Sequence, residues 1–457
     1  MLSFPGFRLV LATSVLVWAL ALSALVWPLP GWWVIGLLPV LYECVLGWHL
    51  LVQGLRSPVG VVPDHDGPAA VHLAILIAAR NERTVLPGTV SAVLAELGAG
   101  DEVIVIDDGS DDDGAMLLAN IHGLEWNGDE AGNGRLRILR RAMNRGKASA
   151  LNDGLASTQA EVVVTLDADT RIRSGALQAI RRAFAAQRSL TAACGIVVPT
   201  CAGPGWVARA FERFQRLEYR RSYAWRLGWS ADRCLALVPG AFAAFRRPAV
   251  MAVGGFARDS LVEDYELMFR LHSAEPGRLQ VAVVPDAVAW TDAPASPGAF
   301  LRQRRRWFAG FIATMVRHQR LVGDPALGVF GLRHLRLKTI DIGLPAVTLG
   351  TWVVVAIQTL SGQVPGVAVG LVVASKLIHD LILYGAADRL VQRRIGSDGS
   401  AGRWTPVLLL VDPICFQPLR QLGALVGCVA ALRSRSGWFP ERRGAALGEV
   451  GSRMGNT

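Results

Sequence analysis

Residues 161–170 read Glu-Val-Val-Val-Thr-Leu-Asp-Ala-Asp-Thr, and the fold turns on how this short run is read. Val162, Val163 and Val164, followed by Thr165 and Leu166, make a strand with no polar face to leave in water, so both faces must be covered. The strand then stops at acids. Asp167 and Asp169 lie two residues apart, and in extended chain such side chains project to the same side. Similar apolar, β-branched runs stand at 73–78 (LAILIA), 102–107 (EVIVID), 135–139 (RLRIL) and 279–285 (LQVAVVP), separated by longer mixed segments. Buried strands alternating with helices predict an α/β domain with a largely parallel sheet between about His72 and Trp290. In such sheets ligands bind beyond the carboxyl ends of the strands, which directs attention to the acids found there.

Three strand ends qualify: Ala78 to Glu82, then Asp107, Asp108, Gly109 and Ser110, then Asp167, Ala168 and Asp169. Each has an ordinary reading. A turn rich in Asp, Gly and Ser is what many strand-to-helix loops look like. A carboxylate pair at this spacing also suits Mg²⁺ or Mn²⁺ bridging a diphosphate. Further along come NRGKASALN (144–152), a basic loop suited to phosphate or base, LVEDYELMFRL (261–271) and QRRRW (303–307). Glu263 and Asp264 alone would read as acids favoured at a helix N-terminus. Trp307 alone would read as a membrane-interface anchor.

The flanks are of another kind. Of 457 residues 52% are hydrophobic and only 18% charged. Apolar runs from Leu9 to Trp27 and from Trp32 to Val52 are broken by Pro28, Leu29, Pro30 and Gly31. Each is long enough to cross a hydrocarbon core of roughly 30 Å, and a second span so soon after the first favours a hairpin over a cleaved signal peptide. Ile342 to Leu360 and Val364 to Tyr384 read as two more spans. Thr405 to Leu432 is interrupted by Asp412, Pro413, Pro418 and Arg420, which leaves a full crossing and a re-entrant or interfacial hairpin both open. The formal charge of +10 gathers beside apolar segments, at Arg56, Arg333, Arg336, Lys338, Arg389, Arg393 and Arg394. That is positive-inside topology, which puts the middle of the chain in the cytoplasm, and no nucleic-acid-binding motif accompanies it. Phe300, Trp307, Phe308, Phe311, Ile312, Met315 and Val316 share a helical face opposite Arg302, Gln303, Arg306, Arg317 and Arg320. This predicts a helix lying in the membrane interface, with an ordinary helix packed on the domain as the alternative; Arg304 falls on the wrong, apolar side. The six cysteines show no zinc-ligand spacing and read as buried thiols in a reducing compartment. The expected organisation is a transmembrane hairpin (1–56), the α/β domain (57–298), the amphipathic helix (299–325), a C-terminal transmembrane region (326–435) and a tail (436–457).

Taken in order, Glu82, Asp107 and Asp108, NRGK, Asp-Ala-Asp, Glu-Asp and QRRRW resemble the family-2 inverting glycosyltransferases with the Rossmann-like GT-A fold. The likeness is to the processive membrane synthases of poly-N-acetylglucosamine, cellulose, hyaluronan and chitin oligomers. It runs from about His72 to Trp307; each motif is weak, but their order and spacing are specific. The resemblance implies that Glu82, Asp107, Asp108, Lys147 and Asp167 hold the nucleotide and that Asp167 and Asp169 bind Mg²⁺ or Mn²⁺. It implies further that Asp264 is the catalytic base and that Glu263, Gln303, Arg306 and Trp307 lie at the acceptor and diphosphate. Ala79 and Arg80 depart from a loop that often begins with Pro, and VEDYEL departs from the commoner TED pattern, which puts the sugar in doubt. A UDP-sugar donor, first UDP-N-acetylglucosamine with UDP-glucose open, and a growing β-linked polysaccharide acceptor are implied. So is a multi-pass position in the cell membrane. With only four or five spans, a second membrane subunit or a homo-oligomer is a further partner to expect. Addition of one sugar to a lipid or short acceptor, and a transporter subunit with a nucleotide-binding domain, are the alternatives.

Overall fold

The computed structural model describes residues 38–56, 71–203, 205–362, 366–395 and 405–433. The first expected span, Leu9 to Trp27, and the tail at 436–457 lie outside the described residues. Helix α1 (Leu38–Arg56) comes first. It is followed by β1 (Leu73–Ala79), α2 (Leu86–Leu94), β2 (Glu102–Asp107), α3 (Gly114–Ile121), the short β3 (Trp126–Asn127) and β4 (Glu130–Gly132), β5 (Leu136–Arg140), α4 (Lys147–Ser157) and β6 (Val162–Asp167). The second half runs β7 (Arg171–Ile172), α5 (Ala176–Ala186), β8 (Leu190–Thr200), the long α6 (Trp206–Ala231), β9 (Phe242–Arg246), α7 (Arg247–Ala252), α8 (Glu263–Ala274), β10 (Gln280–Asp292) and α9 (Pro297–Arg317). Three long helices close the described chain: α10 (Leu335–Leu360), α11 (Gly366–Ile395) and α12 (Thr405–Arg433).

The described strands form one sheet in the order β3-β4-β5-β2-β1-β6-β9-β8-β10-β7. Its two faces are as apolar as the sequence requires. Leu73, Ile75, Ile77, Val103, Val105, Val162 and Val164 enter one core, and Ala74, Leu76, Ile104, Ile106 and Val163 the other. That alternation is the period-2 rule with helices on both sides, and each such branched side chain contributes about 1.5–3 kcal/mol by leaving water.

The expectation of a largely parallel sheet needs correction. Pairing is parallel along β5-β2-β1-β6 and between β8 and β10, but β9 is antiparallel to both β6 and β8, and the edge pairs β3-β4, β4-β5 and β10-β7 are antiparallel too. The sheet is mixed. A buried run such as FAAFR is apolar in either direction, so its composition carries no sign of the reversal. The parallel half has the consequence that matters for chemistry: Ala79 pairs with Asp107 and Ala78 with Asp167, so two acid-bearing strand ends flank the end of β1.

The helices outside the sheet also revise the expectations. Residues 405–433 form one continuous helix with Pro413 and Pro418 inside it, not a hairpin. Among the described residues two helical segments, Phe330–Leu360 and Thr405–Arg433, are long and apolar enough to cross a membrane. The apolar face of α9 is covered by protein, because α12 packs along it: a Cβ on Gly423 would stand 2.7 Å from Arg304 Cβ, and one on Gly427 2.8 Å from the Arg305 carbonyl oxygen. Gly-Ala-Leu-Val-Gly (423–427) is therefore a small-residue seam of the kind that lets two helix backbones approach. Helix α1 is likewise seated on α6, with Leu50 and Leu51 buried and Gly228 directly beneath the Leu50 backbone. Its opposite face leaves Leu41, Val45, Trp48, Val52 and Leu55 exposed. The thiols are mixed in burial: Cys194 and Cys234 are buried, whereas Cys415 is exposed.

Candidate active site

The site grows from the carboxyl ends of β1, β2 and β6. After β2 the chain turns at Gly109, whose φ of +69° and whose absent side chain are both needed: a Cβ there would lie 2.6 Å from the amide nitrogen of Asn144. This close approach brings the NRGK loop against Asp108. Both Asp108 oxygens are consumed by it, accepting from Arg145 N at 2.8 Å, Gly146 N at 2.7 Å and Arg141 Nη1 at 2.9 Å. Asp108 is thus a buried anchor for the loop that leads into Lys147. Asp107 is also buried and accepts from Ser110 N at 3.0 Å. Glu82 follows the turn at Asn81, a residue with φ of +58° that is tied to the Asp111 amide at 2.9 Å.

From the start of α4, Lys147 reaches across the sheet edge. Its ammonium lies 2.5 Å from Asp167 Oδ1 and 3.3 Å from Glu263 Oε1. One cation therefore joins the Asp-Ala-Asp strand end to the Glu-Asp helix start. The same α4 fixes the glycine loop. Asn152 donates to Phe256 O at 2.8 Å and accepts from Phe256 N at 2.7 Å, while a Cβ on Gly255 would collide with the Asn152 amide. This is what Gly254 to Phe256 are for: their backbone passes close to Asn152.

Asp264, at the head of α8, is partly buried and accepts from Gly240 N at 2.8 Å through Oδ2 and from Tyr265 N at 2.8 Å through Oδ1. The glycine at 240 keeps the loop before β9 close, since a Cβ would sit 3.4 Å from both Asp264 Oδ2 and Lys147 Nζ. Burial first, then the neighbouring Glu263 carboxylate, pushes the Asp264 carboxyl up to about 6, with Lys147 and the two amide donors opposing. A carboxylate so held is oriented, ionised at neutral pH and basic enough to take a proton.

Asp169 accepts from Thr291 Oγ1 at 3.0 Å and Thr170 Oγ1 at 3.3 Å. Its carboxyl is raised by burial and then by Asp167; that of Glu82 is raised by burial and then by Asp169, Asp112 and Asp167. Acids that raise one another in this way call for a cation. Among the described residues no three His, Cys, Asp or Glu side chains are arranged to hold a metal by themselves. A pair of carboxylates still fits Mg²⁺ or Mn²⁺, which take one or two protein carboxylates and complete their shell from phosphate and water.

The QRRRW segment meets the site from α9. Arg306 is exposed and donates from Nη1 to Leu261 O at 3.3 Å, three residues before Asp264. Gly310 packs on Val262, where a Cβ would lie 2.8 Å from both methyls. Gln303 and Trp307 are half-buried, and Gln303 Oε1 is buried without a hydrogen-bond partner among the described residues. Lys147 thus joins Asp167 to Glu263, Gly240 holds Asp264 beside Lys147, Asp169 faces Asp167, and Arg306 touches the chain just before Glu263 at the Leu261 carbonyl. Arg141, Thr291 and Asp292 were not singled out in the sequence. Strand β10 runs on past 285 to Asp292, and a strand end in that position was the signal for the last two.

Residues 162–383 match the model of the family described as Glycosyl transferase family group 2. Among curated proteins the chain is 28% identical over 246 residues to the poly-beta-1,6-N-acetyl-D-glucosamine synthase of Staphylococcus epidermidis, covering 54% of this chain and 56% of that one. It is 26% identical over 271 residues to the enzyme of the same name from Staphylococcus aureus, covering 59% of this chain and 62% of that one. The chain thus spans about three fifths of the length of the curated relatives it matches. Among solved structures it is similar to the mannosyltransferase PcManGT from Pyrobaculum calidifontis, in complex with GDP-Man and Mn²⁺, with a TM-score of 0.58 and 18% identity, covering 93% of this chain and 100% of that one. That likeness is one of fold, and it agrees with a GT-A arrangement around the mixed sheet. With the family match laid over the strand that ends in Asp167, the Glu263–Asp264 helix start and the QRRRW helix, the chain carries a glycosyl transferase family group 2 domain.

Proposed function

We propose that this protein is a membrane-embedded inverting glycosyltransferase that moves a sugar from a UDP-sugar, UDP-N-acetylglucosamine in the first place, to a growing β-linked polysaccharide. The observation that carries the reading is the Lys147 bridge between Asp167 and Glu263, with Asp264 oriented by Gly240 N beside it. The names of the staphylococcal relatives support the donor and the processive product. The exposed apolar faces of α1, α10 and α12 support a bilayer around the helices, with the amphipathic α9 between the α/β domain and that region. A homo-oligomer or second membrane subunit belongs to the same proposal.

Glu82, Asp107 and Lys147 would hold the nucleotide, with Asp108 acting through the loop it anchors. Asp167 and Asp169 would hold Mg²⁺ or Mn²⁺, which when bound offsets charge on the diphosphate. Asp264 accepts the proton of the acceptor hydroxyl as its oxygen bonds to the donor's anomeric carbon. The carbon–oxygen bond to the diphosphate breaks with its electron pair going to the leaving group, and Arg306 and Lys147 stabilise that charge. Attack from the side opposite the diphosphate inverts the anomeric centre, giving a β-linkage from an α-linked donor. Trp307 presents a ring face to the acceptor sugar. The half-buried carboxamide of Gln303 and the Glu263 carboxylate are placed for its hydroxyls.

The test is a panel of nucleotide sugars offered to the purified full-length protein, reading UDP release and product length, with and without a chelator. Release from UDP-N-acetylglucosamine with a ladder of products, lost on chelation and restored by Mg²⁺ or Mn²⁺, supports the reading. A single addition transfers it to a lipid or short-acceptor enzyme, and no release from any nucleotide sugar favours a transporter subunit.

A further inference from the structure

Arg304 is an anomaly of the sequence: a cation on the apolar side of α9. The structure accounts for it. On a helix, residues three and four apart are neighbours, and the Arg304 guanidinium lies over the rings of both Phe300 and Trp307, 4.5 Å from each centroid. Its Nη2 donates to Glu218 Oε2 at 2.8 Å, across to α6, and both side chains are buried. Arg420 of α12 stands 3.6 Å from the other Glu218 oxygen. Gly423 closes over the Arg304 stem, leaving it no room to withdraw.

A half-buried indole ring with a guanidinium against it has few orientations open to it. The planar guanidinium supplies what an ammonium lacks, a flat face for the ring and a directed fork for the carboxylate at once. We propose that Arg304, held by Glu218, is the positioning residue that sets the Trp307 ring as the acceptor platform. The inference rests on the transferase reading above. Arg304 touches neither donor nor acceptor and acts through Trp307.

The experiment uses the full-length enzyme in lipid nanodiscs, with UDP-N-acetylglucosamine as donor and a β-linked N-acetylglucosamine oligomer as acceptor. Two rates are read, transfer to the oligomer and acceptor-independent hydrolysis of the donor, for wild type, Arg304→Lys, Glu218→Gln, Trp307→Phe and the Arg304→Lys/Trp307→Phe pair. Expected for Arg304→Lys is an acceptor KM raised about five- to tenfold with donor hydrolysis unchanged, and a shift of the same sign for Glu218→Gln. In the Trp307→Phe background Arg304→Lys adds less than about twofold, because residues acting as a unit are not additive. Parallel loss of hydrolysis and transfer in Arg304→Lys, or full multiplication of its effect in the double variant, overturns the role of Arg304 while leaving the transferase reading intact. Absence of nucleotide release by the wild type overturns the transferase reading itself and this inference with it.

Discussion

The Lys147 ammonium stands 2.5 Å from Asp167 Oδ1, so the residue that opens α4 neutralises the acid that ends β6. Lys147 also faces Glu263 at 3.3 Å, and among the described residues no other cation bridges these two acids. Replacing it leaves Asp167, Glu263 and Asp264 repelling one another where, on the proposed reading, the anionic donor enters. Lys147→Met is expected to raise the nucleotide-sugar KM by about ten- to a hundredfold, the worth of a charge-assisted hydrogen bond. Steady-state UDP release against donor concentration measures it.

The proposed base role of Asp264 requires it to be ionised, and its carboxyl is pushed up to about 6. Activity is therefore full above that pH and falls as pH drops through it, about tenfold per unit. The acid limb of kcat/KM reports the free enzyme, and it is expected near pH 6. Glu263→Gln removes a neighbouring negative charge that raises Asp264, so its acid limb moves to lower pH. A limb that stays in place in Glu263→Gln contradicts the assignment.

Asp108 is spoken for by Arg141, Arg145 N and Gly146 N. Asp108→Ala strands buried donors and is expected to destabilise the domain by about 3 kcal/mol, seen in a thermal melt, with a raised donor KM following from the loosened loop. A donor KM change with an unaltered melt would make Asp108 a direct ligand instead.

Gly427 has the Arg305 carbonyl oxygen 2.8 Å and Phe308 Cβ 2.9 Å from where a Cβ would be. Gly427→Val forces α12 away from α9 and is expected to cost about 1–3 kcal/mol of stability in detergent, the usual penalty of overpacking. Val426→Ala, on an exposed part of the same helix, serves as the control and leaves the melt unchanged.

Much of the sheet and of the site was legible in the sequence because both depend on local pattern. The runs at 73–78, 102–107 and 162–167 are unbroken apolar strands, and acids at their ends fall on one edge once neighbouring strands run in register. Strand direction was not legible: FAAFR at 242–246 buries as well antiparallel as parallel, and only the connection through α6 reverses it. The extension of β10 to Asp292 was also missed, since Trp290, Thr291 and Asp292 follow two register shifts against β8. Arg304 looked like a flaw in an amphipathic face because its partner, Glu218, is eighty-six residues away in sequence. The resemblance implies a nucleotide role for Asp108, but the sequence does not show that Arg145 N and Gly146 N donate to it, because those contacts depend on how the loop folds back. Pro413 and Pro418 left a full crossing and a hairpin both open, and α12 continues through them with α9 packed alongside.

The central claim is that Asp264 takes the proton from the acceptor, and one substitution tests it. Asp264→Asn keeps the volume, but its single amide oxygen can accept from only one of Gly240 N and Tyr265 N, which Asp264 holds through separate oxygens, and it has lost the base. UDP release from the donor sugar in the presence of acceptor is predicted to fall on the order of a hundredfold or more, with nucleotide binding retained by titration. Turnover equal to that of the wild type would contradict the account.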